Sequence, residues 1–342
     1  MGLKRPFGAG RGPRLLALAA SVVLAAAVGL VAHDASAADV SIAPGTNWKD
    51  TSGSPIQAHA AGFIKVGSTY YWFGEDKTGE SKGKSPFLNT PCYSSNDLAH
   101  WKFERNVLTR QASGDLGPGR IIERPKVIFN ESTRMYVMYM HADDGPHTIT
   151  KVGVATSPTV CGNYTYRGSF KPQGNISLDI TLFVDTDGTG YLASDTRTKG
   201  LKLYRLSADY LSVVSTVATF PELESPALFK VGGRYYLLTS HRTGWNTNDN
   251  VYSTSTSLSG GWSSWKLFAP KGSKTFNSQT TFVLPVTGSQ GTTYVFMGDR
   301  WIPSSLGDSP YIWLPLTVSG STVSLAWHAR WSIDTDTGLW HT

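Results

Sequence analysis

Beyond its first 31 residues the chain has no apolar run near the ~18 residues that a membrane span needs. It also has no clustered stripe of lysine and arginine. Its net charge of +6 is partly carried by Lys4, Arg5, Arg11 and Arg14, and the other cations are scattered. Nucleic acid, which demands a concentrated basic face, is therefore not an expected partner. Strong helical periodicity is missing throughout, which leaves strands as the building material. Cysteine is scarce, with only Cys92 and Cys161. An oxidising compartment would let the two pair, but only their Cα separation decides whether they do.

The N-terminus carries the first positive signal. A basic stretch to Arg14 precedes the apolar run Leu15 to Val31 and the small-residue site Ala35-Ser36-Ala37. This order reads as a secretory signal over residues 1–37, and the small-residue site and Asp34 argue against a retained anchor. The expected protein is secreted, free of the membrane after cleavage and monomeric, with residues 38–342 forming one domain.

That domain repeats itself. A short β-branched or aromatic strand, a Gly turn and a Tyr-rich second strand recur as GFIKVGSTYYWFGED from Gly62, PKVIFNESTRMYVMYM from Pro125 and ITLFVDTDGTGYLASD from Ile180. The pattern returns as PALFKVGGRYYLLTSH from Pro226 and TFVLPVTGSQGTTYVFMGD from Thr281. Starts about 46 to 63 residues apart suit four short strands with their loops, the size of a propeller blade. The spacing predicts an all-β, five-bladed β-propeller. A β-sandwich has no reason to repeat a strand pair at this period. The eleven Trp and fifteen Tyr are expected mainly to pack between blades.

Residues just before or at the first strand of each blade converge on one end of a propeller axis. Those positions hold Gln57 and His59, Glu123 and Arg124, Asp179, Glu224, and Gln279. Three carboxylates, Glu123, Asp179 and Glu224, would share one funnel. Glycosidic cleavage needs such a set: an acid kept protonated by burial or by neighbouring negative charge, and a second group that orients water on the opposite face of the sugar. Each residue also has a plainer reading, Glu224 as a surface ion pair and Asp179 as a turn cap. Asp185 and Asp187 in VDTDG read as turn residues, because the loop lacks the other acidic positions of a calcium site.

The motifs resemble glycoside hydrolase family 43, a family of inverting five-bladed propellers. Glu224-Ser-Pro followed by GGRYYLLTSH looks like its general-acid motif, and Asp179 in LDITLFVDTDGTGY looks like the carboxylate that tunes that acid. The usual Asp base before the first blade is missing from IQAHAAGFIKVG, Ile56 to Gly67. In this the chain resembles the exo-β-1,3-galactanase subfamily, through Ala58-His59 with Lys65, Glu123-Arg-Pro-Lys-Val, Ser240-His241 with Thr243-Gly-Trp-Asn, Asn277-Ser-Gln279, and Met297-Gly-Asp-Arg-Trp301.

The resemblance implies Glu224, Glu123, Gln279 and Asp179 as catalytic residues, with the attacking water held by Glu123 or by Gln279. Glu123 has the charge to take a proton, whereas a neutral amide holds and polarises water. Sugar contacts are expected from Glu75, His59, Thr243, Trp245, Arg300 and Trp301, with the two indoles as platforms. No cofactor is required. His241 marks where an axial calcium would sit, against the equal alternative of a structural hydrogen bond. The implied partner is β-1,3-galactan or arabinogalactan; the competing readings are an arabinofuranosidase or xylosidase of the same family, or a glycan-binding propeller without catalysis.

Overall fold

The computed structural model describes residues 2, 41–79 and 86–342. The expected signal, residues 1–37, lies outside the described residues, as does part of the Asp76 to Thr90 loop. Among the described residues no helix is long and apolar enough to cross a membrane.

Five antiparallel four-stranded sheets follow one another along the chain. Sheet 1 runs through His59–Val66, Thr69–Glu75, Asn89–Ser95 and Lys102–Thr109. Sheet 2 is Arg120–Asn130, Met135–Asp144, Lys151–Ser157 and Thr165–Phe170. Sheet 3 is Ile180–Val184, Gly190–Asp195, Leu201–Leu206 and Val213–Thr219. Sheet 4 is Leu223–Val231, Arg234–His241, Val251–Ser255 and Lys266–Leu267, and sheet 5 is Gln279–Thr287, Thr292–Asp299, Tyr311–Ser319 and Thr322–Leu325. The hairpins explain why the repeat is visible in sequence. Val66 pairs with Thr69 and Val231 with Arg234, so each loop has two residues, and Gly67 and Gly232 supply the positive φ (61° and 57°) at its first position.

The first strands contact one another in ring order and line the axis of a β-propeller. The expected count of five sheets is corrected to six. The sixth has three strands, Ser41–Ile42, Trp331–Asp334 and Leu339–His341, and joins the two ends of the described chain. Its strands are two to four residues long and match no copy of the repeat, so periodicity could not reveal them.

Aromatic residues fill the contacts between sheets, as expected. Trp72 and Trp101 of sheet 1 meet Trp313 of sheet 5 at ring separations of 4.8 and 5.9 Å, and all three are essentially buried. Each such side chain contributes about 1.5–3 kcal/mol through burial. Cys92 and Cys161 form a disulfide with a Cα separation of 5.9 Å, tying sheet 1 to the loop between the last two strands of sheet 2.

The inner strands do not run straight into the axis. Register shifts fall between His59 and Gly62, Glu123 and Lys126, and Glu224 and Ala227. The residue after each axial side chain is left-handed: Ala60, Arg124 and Ser225, with φ of 47°, 52° and 55°. These are β-bulges, which re-aim a side chain and free the local backbone from the ladder. Pro125 and Pro226 sit inside two of them, where no ladder N–H is needed.

The freed amides find carboxylates. Ala60 N donates to Asp299 at 3.0 Å, Arg124 N to Glu75 at 2.8 Å and Ser225 N to Asp179 at 3.1 Å. In each case the acceptor comes from the sheet before. This is the physical reason for the Glu-Arg-Pro and Glu-Ser-Pro motifs: they turn a carboxylate into the funnel and dock the next amide on the neighbouring sheet.

Candidate active site

A pocket of about 370 Å³ opens at this end of the axis, lined by residues from all five four-stranded sheets, among them Glu75, Glu123, Asp179, Glu224, Trp245, Gln279 and Trp301. The three expected carboxylates therefore do meet.

Arg124 organises them. Its Nε lies 2.7 Å from Asp179 Oδ1, and its Nη2 donates to Ser225 Oγ at 2.7 Å and to Gln279 Oε1 at 2.8 Å. With its backbone amide on Glu75, this one residue joins all five sheets that line the pocket. The sequence placed Arg124 at the start of an inner strand beside Glu123, and its burial explains why it needs so many partners.

Among the described residues Glu224 forms no salt bridge. Its Oε1 accepts from Gln279 Nε2 at 3.1 Å. Burial pushes its carboxyl up, the charges of Asp179 and Asp195 add to this against Arg124 and Arg242, and the net result is a value of about 8. A carboxyl in that state is protonated near neutral pH, the condition a general acid requires. Asp179 also receives the Ser225 hydroxyl at 2.7 Å, so the residue after the acid is tied to the group that tunes it.

Glu123 is in the opposite state. Burial pushes its carboxyl up, but a 3.0 Å hydrogen bond from His141 and the charges of Lys77, His141 and His147 outweigh this and hold it below the usual carboxylate range. Two carboxyls of one pocket are thereby driven apart, which separates an acid from an ionised partner. Behind Glu123 runs a chain of contacts that sequence reasoning missed: His141 Nε2 meets Asp143 at 2.9 Å, and His147 Nδ1 meets the same oxygen at 3.0 Å. Burial lowers the His141 ring, but Asp143 and Glu123 outweigh it and raise it to about 9. His141, Asp143 and His147 are metal-ligand types lying close together. With both ring nitrogens of His141 facing carboxylates, however, the arrangement fits a hydrogen-bonded support for Glu123.

Gln279 is held on both sides. Its Oε1 accepts from Arg124 and, at 2.9 Å, from Trp301 Nε1, while its Nε2 faces Glu224 and Ser240. Trp245 stands at the rim, 42% exposed, its ring 5.5 Å from that of Trp301 and edge-on to it. Glu75 lines the pocket too, but Arg124 N and Lys77 engage it, and burial raises its carboxyl against the pull of Lys77. Lys77, Asp195 and Arg242 complete the wall and were not anticipated.

Three expected sugar contacts lie elsewhere. His59 is fully buried, 3.4 Å from Asp299 and stacked on Tyr311. Thr243 donates to Asn246 O at 2.5 Å and accepts from Asn248 at 2.8 Å, shaping its own loop. Arg300 donates to Phe276 O at 2.8 Å and lies over the Trp327 ring. Sequence placed them beside the right strands, but not on the pocket face. His241 is exposed, with hydrogen bonds to Asn248 through its backbone. Asp185 pairs with Lys230 and Asp187 accepts from Thr189 N at 2.9 Å, as turn residues do.

A β-propeller whose axial pocket holds a half-buried carboxyl pushed up to about 8 beside one held below the usual carboxylate range is built as a glycoside hydrolase. Its sequence matches the profile of glycosyl hydrolases family 43 over residues 55–281, and the chain belongs to that family. The structure is similar to an exo-β-1,3-galactanase from Phanerochaete chrysosporium with galactose, at 40% identity and a TM-score of 0.84, covering 88% of this chain and 70% of that one. It is also similar to an exo-β-1,3-galactanase from Clostridium thermocellum, at 39% identity and a TM-score of 0.83 over 88% and 68% of the two chains. A family 43 β-1,3-galactosidase with galactodeoxynojirimycin matches at 30% identity and a TM-score of 0.79 over 85% and 100%. No curated protein matches the chain.

Proposed function

We propose that the protein is a secreted, inverting exo-β-1,3-galactanase that releases galactose units from the β-1,3-galactan backbone of arabinogalactan-type polysaccharide. The observation that carries this reading is the placement of Glu224: half-buried in a sugar-sized axial pocket, hydrogen-bonded by Gln279 and pushed up to about 8 by burial and Asp179. The similarity to exo-β-1,3-galactanases supports the choice of linkage.

In the proposed step, Glu224 gives its proton to the glycosidic oxygen as the bond to the anomeric carbon breaks. A water attacks that carbon from the opposite face, and its proton leaves to Glu123, or to solvent where the neutral Gln279 holds the water. Burial, helped by the charge of Asp179, keeps Glu224 protonated beforehand. Two side chains offer to hold the water. Glu123 is ionised and so has the charge to accept a proton. Gln279 already touches the acid, and its Oε1 takes on a water only by releasing Arg124 or Trp301. The chemistry needs no cofactor, and export rests on the reading of residues 1–37.

The test is incubation with β-1,3-galactan, β-1,4-galactan, arabinan and xylan, with NMR reading the anomer formed first. Galactose in the inverted configuration from the first substrate alone is the expected result. Release from arabinan or xylan instead would assign the arabinofuranosidase or xylosidase activity. Glu224→Gln should lower kcat by roughly 10²–10⁴-fold while β-1,3-galactooligosaccharide still binds. A wild type that binds but never cleaves would mark a glycan-binding module. Glu123→Gln then separates the two water holders: a kcat loss of ~10²-fold or more assigns the base to Glu123, and a rise confined to KM assigns the water to Gln279.

A further inference from the structure

Immediately before Gln279 the backbone does something that L-amino acids avoid. Lys274, Thr275, Phe276 and Asn277 have φ of 53°, 52°, 57° and 56°, a complete left-handed helical turn without a single glycine. In this conformation each Cβ crowds the following carbonyl, so single residues visit it and runs do not. Backbone held in such a state persists only where its surroundings over-determine it.

The surroundings here do so. Asp249 accepts from Gly272 N and Lys274 N, both at 2.7 Å. Thr275 Oγ1 accepts from Asn250 N at 2.8 Å, and Asn250 Oδ1 accepts from Thr280 N at 2.9 Å, so a loop of sheet 4 grips the chain on both sides of Gln279. Ser278 Oγ donates to Thr275 O at 2.6 Å. From the other direction the half-buried guanidinium of Arg300 donates to Phe276 O at 2.8 Å and lies 5.7 Å over Trp327. Gly45 leaves room for it, since a Cβ there would come within 2.8 Å of Nη1.

We infer that this left-handed turn is a positioning device, with Arg300 as its strut, that fixes the amide of Gln279 against Glu224. A right-handed turn over the same four residues would deliver the chain to position 279 in a different direction. Asn250 then pins residue 280, which sets the backbone from which the Gln279 side chain reaches Arg124, Trp301 and the acid. Arg300 acts through Gln279 and does not touch the sugar. The inference rests on the galactanase reading for its kinetic consequences, but the geometry it asserts does not.

The experiment compares Arg300→Met, Arg300→Lys, Asn277→Val and Asn277→Gly with wild type and Gln279→Ala, on a β-1,3-galactooligosaccharide. Asn277 is exposed and donates its backbone N–H to Ser273 O at 3.3 Å. Glycine tolerates positive φ where a β-branched residue does not. Asn277→Gly should therefore keep kcat within about 2-fold of wild type, while Asn277→Val lowers it about 10-fold. Arg300→Met should lower kcat about 10-fold with KM within ~2-fold, Arg300→Lys should recover part of the loss, and Arg300→Met should add nothing in a Gln279→Ala background. A rise in KM at unchanged kcat would return Arg300 to the sugar, and additivity with Gln279→Ala would sever it from Gln279; either overturns the inference. Should wild type release no galactose, the galactanase reading falls and this one is judged by the NMR titration of the Glu224 carboxyl. Arg300→Met and Gln279→Ala should then raise its midpoint by the same amount, because each removes a hydrogen bond donated to the carboxylate. A wild-type midpoint in Arg300→Met overturns the inference.

Discussion

The Nε of Arg124 lies 2.7 Å from Oδ1 of Asp179, and this contact is the centre of the pocket's electrostatics. It lets Asp179 remain close to Glu224 without a second exposed charge, and it anchors the hydrogen bonds that Arg124 sends to Ser225 and Gln279.

Removing the cation should accordingly cost stability as well as activity. Arg124→Met leaves Asp179 facing the pocket without its counter-charge and takes one partner from each of two further sheets, while Glu75 keeps Lys77 and the backbone amide of residue 124. Breaking a buried ion pair from one side costs about 3–5 kcal/mol. Urea unfolding should show a loss in that range, and Arg124→Lys, which supplies charge without the planar fork, should recover only a part.

The pH dependence of kcat follows from Glu224. The acid must carry its proton, so the alkaline limb should fall near the value of about 8 to which burial and Asp179 raise it. Asp179→Asn removes one negative neighbour and frees Arg124 to act on Glu224, and both changes favour the carboxylate. The alkaline limb should move to lower pH, though only part of the way to the ordinary value, because burial remains. A limb that stays in place would remove Asp179 from its tuning role.

Stability should respond to the same group with a definite sign. Between the ordinary carboxyl value of 4.5 and about 8 the folded chain holds a proton that the unfolded chain has released. Rising pH therefore weakens the fold across this window. Glu224→Gln abolishes the effect, so its melting temperature relative to wild type should be higher at pH 8 than at pH 4.5.

Trp245 is exposed at the rim, edge-on to Trp301, and has little to pack against. Trp245→Ala should leave the melting temperature nearly unchanged. Losing one aromatic platform of roughly 0.5–1.5 kcal/mol should raise KM about 2- to 10-fold at constant kcat.

The Cys92–Cys161 disulfide closes a loop of 69 residues. Constraint of an unfolded loop that long is worth about 4 kcal/mol. The paired Cys92→Ser, Cys161→Ser variant should unfold at lower urea by a comparable amount, with kcat retained because neither sulfur lines the pocket.

Much of this molecule was legible along the chain because local rules carried it. The Gly-centred hairpins and Tyr-rich second strands show a repeat, and the repeat puts Glu123, Asp179 and Glu224 at one end of an axis. Nothing local marks the sixth sheet, whose short strands owe their pairing to the meeting of the two chain ends. His59 and Arg300 show the same limit within the site. Their motifs place them beside inner strands, but a side chain's facing depends on bulges and on carboxylates contributed by another sheet.

The order of residues therefore determined the strands, their repetition and which ionisable groups would gather at the axis, since turn chemistry and alternation act over a few positions. Only the tertiary structure decided which carboxyl keeps its proton and which gives it up. That depends on burial and on partners 18 to 155 residues away in the chain, among them His141 for Glu123 and Gln279 for Arg124. The handedness of the turn before Gln279 was decided in the same way, because of Lys-Thr-Phe-Asn only Asn277 readily takes a positive φ and the contacts around the turn hold the other three there.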